Sequence, residues 1–137
     1  MTRLTLRLLL TGVLLAGAGC SAVSVESRAS RIARDLEQAQ QARKAAEKLS
    51  TGLELAADGK YEEAINALFP LVRQFDSLGD RARAAAAVFW TAYCHEKLDR
   101  WADAESFYQM TVTKYAGTPA AREAADRLAQ RLQHPMP

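Results

Sequence analysis

The chain has 137 residues, 25% of them charged, with 18 Lys plus Arg against 16 Asp plus Glu and a formal net charge of +2. Arg3 and Arg7 are the only charged residues among the first nineteen, so the remainder carries 16 charges of each sign and gives no basic balance from which to argue nucleic-acid binding. The two cysteines, Cys20 and Cys94, are too few for a disulfide scaffold.

In chain order, the first element is a targeting pattern. Arg3 and Arg7 open it, Leu8 to Ala16 is a short apolar run, and Gly17, Ala18 and Gly19 lead into Cys20. Charged, then apolar, then small is the order of a secretory signal peptide, here residues 1–19. The apolar run is far shorter than the roughly 18–20 residues that span a bilayer. Leu15-Ala16-Gly17-Ala18-Gly19-Cys20 resembles the lipobox of bacterial lipoproteins, with Gly17 where that family usually has Leu. The resemblance implies diacylation of Cys20 and a mature chain of 118 residues, 137 less the first 19. Two or more acyl chains hold a protein stably at a membrane, whereas one does so only marginally. Lipoproteins kept at the inner membrane typically have Asp after the cysteine; Ser21 is compatible with export to the outer membrane, the expected location, with the domain facing the periplasm. The alternative is ordinary cleavage near Gly19, leaving a secreted protein with a free Cys20 thiol.

Residues 20–25 read as a tether, and the domain as 26–133. The domain is rich in Ala, Leu, Glu, Arg and Gln, which favour helix, and no run of alternating β-branched residues predicts a strand. Ala29, Ile32, Leu36, Ala39, Ala42, Ala46, Leu49 and Leu53 step by three and four from near Glu26, one stripe along a first helix. Asp58-Gly59 ends it, since Gly accepts the left-handed conformation after a helix. A second helix runs from about Lys60 to Asp76, with Tyr61, Ile65, Leu68, Val72 and Phe75 on one face and Pro70 bending it. Asp80 caps a third helix, Arg81 to about Leu98; a fourth spans Arg100 to Tyr115. Thr118 as cap and Pro119 at the first helical position start a fifth, reaching about Gln133. His134 to Pro137 is expected to fray.

Helices two and four match at an offset of forty: Tyr61 with Trp101, Ala64 with Ala104, Leu68 with Tyr108, Val72 with Val112, Phe75 with Tyr115. Ile65 against Glu105 breaks the apolar register. Helix three matches the end of helix one in the same way, Leu49 on Phe89, Gly52 on Ala92 and Leu53 on Tyr93. The unit is a helix pair, repeated, which is the signature of a solenoid.

Gly59-Lys60-Tyr61-Glu62-Glu63-Ala64, and more weakly Asp99-Arg100-Trp101-Ala102-Asp103-Ala104, resemble the Gly-x-aromatic-x-x-Ala opening of the tetratricopeptide repeat's second helix. Gly52 and Ala92 fit the small position seven before it. The spacing of forty, against the family's usual thirty-four, and the missing closing Pro depart from the pattern. The ending Lys114-Tyr115-Ala116-Gly117-Thr118-Pro119 is similar to the longer repeats of envelope lipoproteins of outer-membrane barrel assembly and of the Tol–Pal system. The expected fold is all-α, a short helical-hairpin solenoid of about five helices: two repeats and a capping helix.

The resemblance implies a concave side lined by first helices, where the family binds peptides or helices. Its inward positions fall on Ala46, Leu49, Leu53 and Ala57, and on Ala86, Phe89, Tyr93, Glu96 and Lys97. Phe89, Tyr93 and Lys97 share one helix face, and two aromatics ending in a cation suit an apolar side chain beside a carboxylate. The competing expectation is that Phe89 and Tyr93 are core. Trp101 reads as core, Trp90 as a half-buried residue or an interface anchor, and Arg28, Arg31 and Arg34 as solvated surface near the anchor. No metal-ligand cluster, phosphate loop or nucleophile–base motif appears, so neither enzyme activity nor a cofactor is expected. Cys94 and His95 are neighbours on a helix, about 100° apart, and point away from a common atom. The expected function is a lipid-anchored adaptor binding an envelope protein or peptide. The alternative is a structural, pilotin-like subunit that self-assembles through its Ala-rich first helix. Nucleic acid is not an expected partner.

Overall fold

The computed structural model describes residues 19–133, with side chains from Ser27 onward. It contains five helices: α1 (Gly19–Ala57), α2 (Tyr61–Ser77), α3 (Arg81–Lys97), α4 (Trp101–Lys114) and α5 (Pro119–Gln133). No strand occurs among the described residues, and the fold is all-α, built of helical hairpins. Residues 1–18, where the signal peptide was expected, the tail 134–137 and the Cys20 side chain lie outside the described residues.

Nine of the ten helix boundaries fall within about two residues of their predicted places. The start of α1 does not. It begins at Gly19 and takes in the stretch 20–25 expected as a tether. No Gly or Pro stands between Cys20 and Thr51, so nothing in the backbone interrupts a helix once it has nucleated.

Two units are distinguished, Met1–Leu36 and Glu37–Pro137. In the first, every described side chain from Ser27 to Leu36 is exposed, Ile32 at 60% and Leu36 at 58%. The second holds the core. Its helices α2, α3 and α4 begin twenty residues apart, each after a turn with one left-handed residue: Gly59 (φ 77°), Gly79 (φ 72°) and Asp99 (φ 58°). The hydrogen bonds repeat with the turn. The Lys60 amide donates to the Leu55 carbonyl at 2.9 Å, Asp80 to Phe75 at 2.9 Å and Arg100 to His95 at 3.0 Å. Asp99 holds this conformation without glycine's freedom, at a cost of about 1–2 kcal/mol for an L residue.

Caps act where the sequence places them. Asp80 Oδ1 accepts from the Arg83 amide at 3.0 Å, and Thr118 Oγ1 from the Ala121 amide at 3.2 Å. Pro70 lies inside α2, which continues through it. Proline has no N–H to donate, so the Asn66 carbonyl one turn earlier loses its helical donor.

Within the second unit α2 packs on α3, α3 on α4, and α5 on both α3 and α4. Leu68, Phe75, Val88, Tyr108 and Tyr115 are fully buried, each large apolar side chain contributing about 1.5–3 kcal/mol. The small residues allow the close crossings. A Cβ on Gly52 would stand 2.5 Å from Leu68 Cδ2, while Ala64 and Ala104 are wholly enclosed. Buried Thr91 and Thr111 satisfy their hydroxyls on the carbonyls of Ala87 and Phe107, both at 2.8 Å.

Helices α2 and α4 meet through side chains alone, at one constant separation. Glu62 pairs with Arg100 and Asp76 with Lys114 (2.5 Å), each 38 residues apart. The Phe69 and Phe107 rings, at the same separation, meet edge to face at 5.5 Å. A constant offset means the two helices run parallel and in register. Helix α2 supplies acid, aromatic, acid; α4, with Arg100 at its N-cap, supplies base, aromatic, base. Tyr115 adds its hydroxyl to Asp76 at 3.0 Å.

Candidate functional site

Sequence reasoning gave Leu49, Leu53, Phe89, Tyr93 and Lys97 as partner contacts. The structure separates them. Phe89 is 3% exposed, its ring 5.6 Å from that of buried Tyr108, in one cluster with Ala92, Ala104 and Ala124. Leu49, 9% exposed, lies in the other core cluster, and half-buried Leu53 packs against that cluster. Phe89 and Leu49 are therefore core, not partner contacts. Helical spacing placed Phe89 on one face with Tyr93, but α5 covers that end of the face and turns Phe89 into a packing residue.

Tyr93 and Lys97 remain at the surface. The Tyr93 ring is half-buried, with Trp90 edge-on at 5.2 Å. Two cations flank it, Lys97 Nζ at 5.1 Å and the Arg127 guanidinium at 5.3 Å from the centroid. Such contacts contribute about 0.5–1 kcal/mol at exposed sites and more where water is excluded. Arg127 comes from α5. It is held by Glu96, whose Oε1 accepts from Arg127 at 3.1 Å and whose Oε2 accepts from the Tyr108 hydroxyl at 2.6 Å. Burial, reinforced by that bond, pushes the Tyr108 phenol well above its ordinary pKa, so it stays a donor at any physiological pH. A core tyrosine thus fixes a carboxylate, the carboxylate fixes an arginine, and the arginine lies over the surface tyrosine. Arg131, one turn further along α5, covers Trp101 at 4.9 Å.

Glu96 neutralises Arg127, whereas Lys97 has no ion-pair partner among the described residues. The face therefore offers an aromatic wall and one unneutralised cation. Arg127 and Tyr108 were missed as parts of it. Arg127 stands 31 residues beyond Glu96, and nothing local to α5 says which carboxylate it meets. The alternation of alanines with Arg127 and Arg131 shows only that two cations share a helix face.

Cys94 is buried, and burial pushes its thiol up to about 11, leaving almost no thiolate at neutral pH. His95 stacks on Phe107 at 5.3 Å between centroids. Its Nδ1 is buried without a hydrogen-bond partner, 3.8 Å from Asp103 Oδ2. Burial lowers the His95 pKa, and the nearby Asp103 charge only partly offsets it. Among the described residues no three His, Cys, Asp or Glu side chains are placed to hold a metal ion, and no helix is long and apolar enough to cross a membrane. Comparison with protein-family models, curated proteins and solved structures gives no match.

Proposed function

We propose that this chain is a non-enzymatic adaptor of the tetratricopeptide type, anchored by lipid on Cys20 at the outer membrane, facing the periplasm and binding a protein of the cell envelope. The observation that carries the reading is Tyr93, a half-buried aromatic between two cations, one of them without an acidic partner among the described residues. A segment with an apolar side chain next to a carboxylate meets both halves of that face, the ring by contact and Lys97 by charge. The signal pattern and lipobox supply the anchor and the compartment.

Photo-crosslinking from position 93 in living cells tests the adaptor. Capture of one envelope protein from 93, absent from position 62 and lost with Lys97→Glu, is the expected result. Capture of the chain itself, or of nothing while the protein is stable and membrane-bound, overturns it. Incorporation of a fatty-acid analogue that persists in Cys20→Ser would remove the anchor. One observation favours the self-assembling alternative: Ile32 and Leu36 are exposed on α1. A monomeric mass in detergent would dispose of it.

A further inference from the structure

The second hairpin, α3 and α4, is covered by α2. The first hairpin, formed by α1 from Glu37 onward with α2, has the corresponding surface uncovered by any other helix of its unit among the described residues. Between α1 and α2 lies a cleft of about 340 Å³, lined by Lys48, Thr51, Asn66, Ala67, Pro70 and Gln74 among others. Adding forty to these numbers gives the surface of the second hairpin on which α2 lies. There Val88 and Thr91 are fully buried, Phe107 meets Phe69, and Lys114 pairs with Asp76. In the first hairpin the equivalents Lys48 and Thr51 are exposed.

The internal contact says what fits. Helix α2 docks on α4 with Glu62, Phe69 and Asp76, seven residues apart, against Arg100, Phe107 and Lys114. On the bare surface Lys60 stands at the place of Arg100, and Lys48 supplies a cation near the Gln74 end, where the second hairpin has Lys114. Neither lysine has an ion-pair partner among the described residues. Ala67 replaces Phe107, so the middle of the cleft has room for a larger knob than Phe69 finds in the second hairpin.

We propose that this cleft is a second docking site, and that its occupant is one amphipathic helix of a partner protein. The helix lies parallel to α2 and presents a bulky apolar residue midway between two carboxylates, at seven-residue spacing. Seven residues is close to two helical turns, so all three side chains project from one face. The carboxylates meet Lys60 and Lys48, and the knob fills the space over Ala67, Pro70 and Leu71. A second copy of this chain does not supply that helix, because acid, aromatic and acid at this spacing occur in the sequence only at Glu62, Phe69 and Asp76, already engaged with Arg100, Phe107 and Lys114. This site is separate from the Tyr93 face.

The test uses the purified full chain and a fluorescent, helix-stapled peptide with Glu, Phe and Glu seven residues apart. Fluorescence anisotropy should show saturable binding, with a Kd of about 10–100 µM. Replacing the peptide's Phe by Ala should weaken it about tenfold, equivalent to ~1.4 kcal/mol. Ala67→Arg, at a partly exposed position, should abolish binding without moving the thermal midpoint. Lys48→Glu with Lys60→Glu should weaken it and restore binding of a peptide whose two Glu are Lys. Tyr93→Ala should leave it unchanged, which separates this site from the adaptor face. Absence of saturable binding, or binding that survives Ala67→Arg, overturns the proposal. So does a concentration-dependent dimer that Ala67→Arg dissociates, because a second copy would then be what covers the cleft.

Discussion

The two helical hairpins share a backbone plan and differ in what closes them. In the first, Gly52 lets α2 approach until Leu68 lies against the α1 backbone, and the crossing is wholly apolar. In the second, Ala92 takes the place of Gly52 and Tyr108 that of Leu68, and the tyrosine carries its hydroxyl out to Glu96 at 2.6 Å. One crossing is closed by shape. The other adds a polar handle that reaches the surface and sets Arg127 over Tyr93. Two hairpins with matching turns thus contribute to the core alike and differ in the surface each presents.

Substitutions at the paired positions sharpen that contrast. The largest effect is expected from Gly52→Ala, which forces a methyl into Leu68 and should cost about 1–3 kcal/mol in urea denaturation. An unchanged midpoint would mean that the first crossing is looser than described. Tyr108→Phe keeps the ring and removes the hydroxyl bond to a carboxylate. It should cost about 1.5 kcal/mol and, by loosening Glu96, should weaken partner capture from position 93 by more than the stability loss explains. Equal losses in both readouts would reduce Tyr108 to packing. Asp99→Gly removes the one left-handed non-glycine residue among the described turns and should stabilise the protein by about 1 kcal/mol. The same change brings the second hairpin's turn to the chemistry of the first.

The smallest effect is one of pH. Burial lowers the His95 pKa below its unfolded value of 6.5. Above 6.5 the imidazole is neutral in both states. As pH falls below 6.5, the unfolded chain takes up a proton that the folded chain resists, and stability declines until pH passes the lowered folded value. His95→Phe, which keeps the stack on Phe107, should flatten the thermal midpoint between about pH 7 and about pH 5. A slope unchanged in the variant would assign the acid sensitivity to other groups.

Much of the fold was legible in the residues because its determinants are local. Gly59 ends a helix, Asp80 and Thr118 cap, Pro119 starts a helix, and the small residues Gly52, Ala64, Ala92 and Ala104 recur at matching places in the two hairpins; the left-handed turn at Asp99 was not among the readings. The candidate site was half legible. Tyr93 and Lys97 come from the inward positions that the repeat resemblance implies, but the same positions include Phe89 and Leu49, since a helix face read from sequence does not say what lies on it. Arg127 and the α2–α4 pairs join residues more than thirty positions apart, and no short-range pattern specifies them. The start of α1 lies ahead of its hydrophobic stripe, because residues 20–25 carry no stripe and yet contain nothing that stops a helix.

The turns at Gly59 and Asp99 make the same hydrogen bonds forty residues apart. Cutting the chain after one and rejoining it after the other would leave every bond of that turn in place. A coding segment of this length can therefore be lost or duplicated without a new connection having to be invented. The cost falls entirely on the side-chain interfaces between hairpins, which is where relatives of different length should show compensating changes.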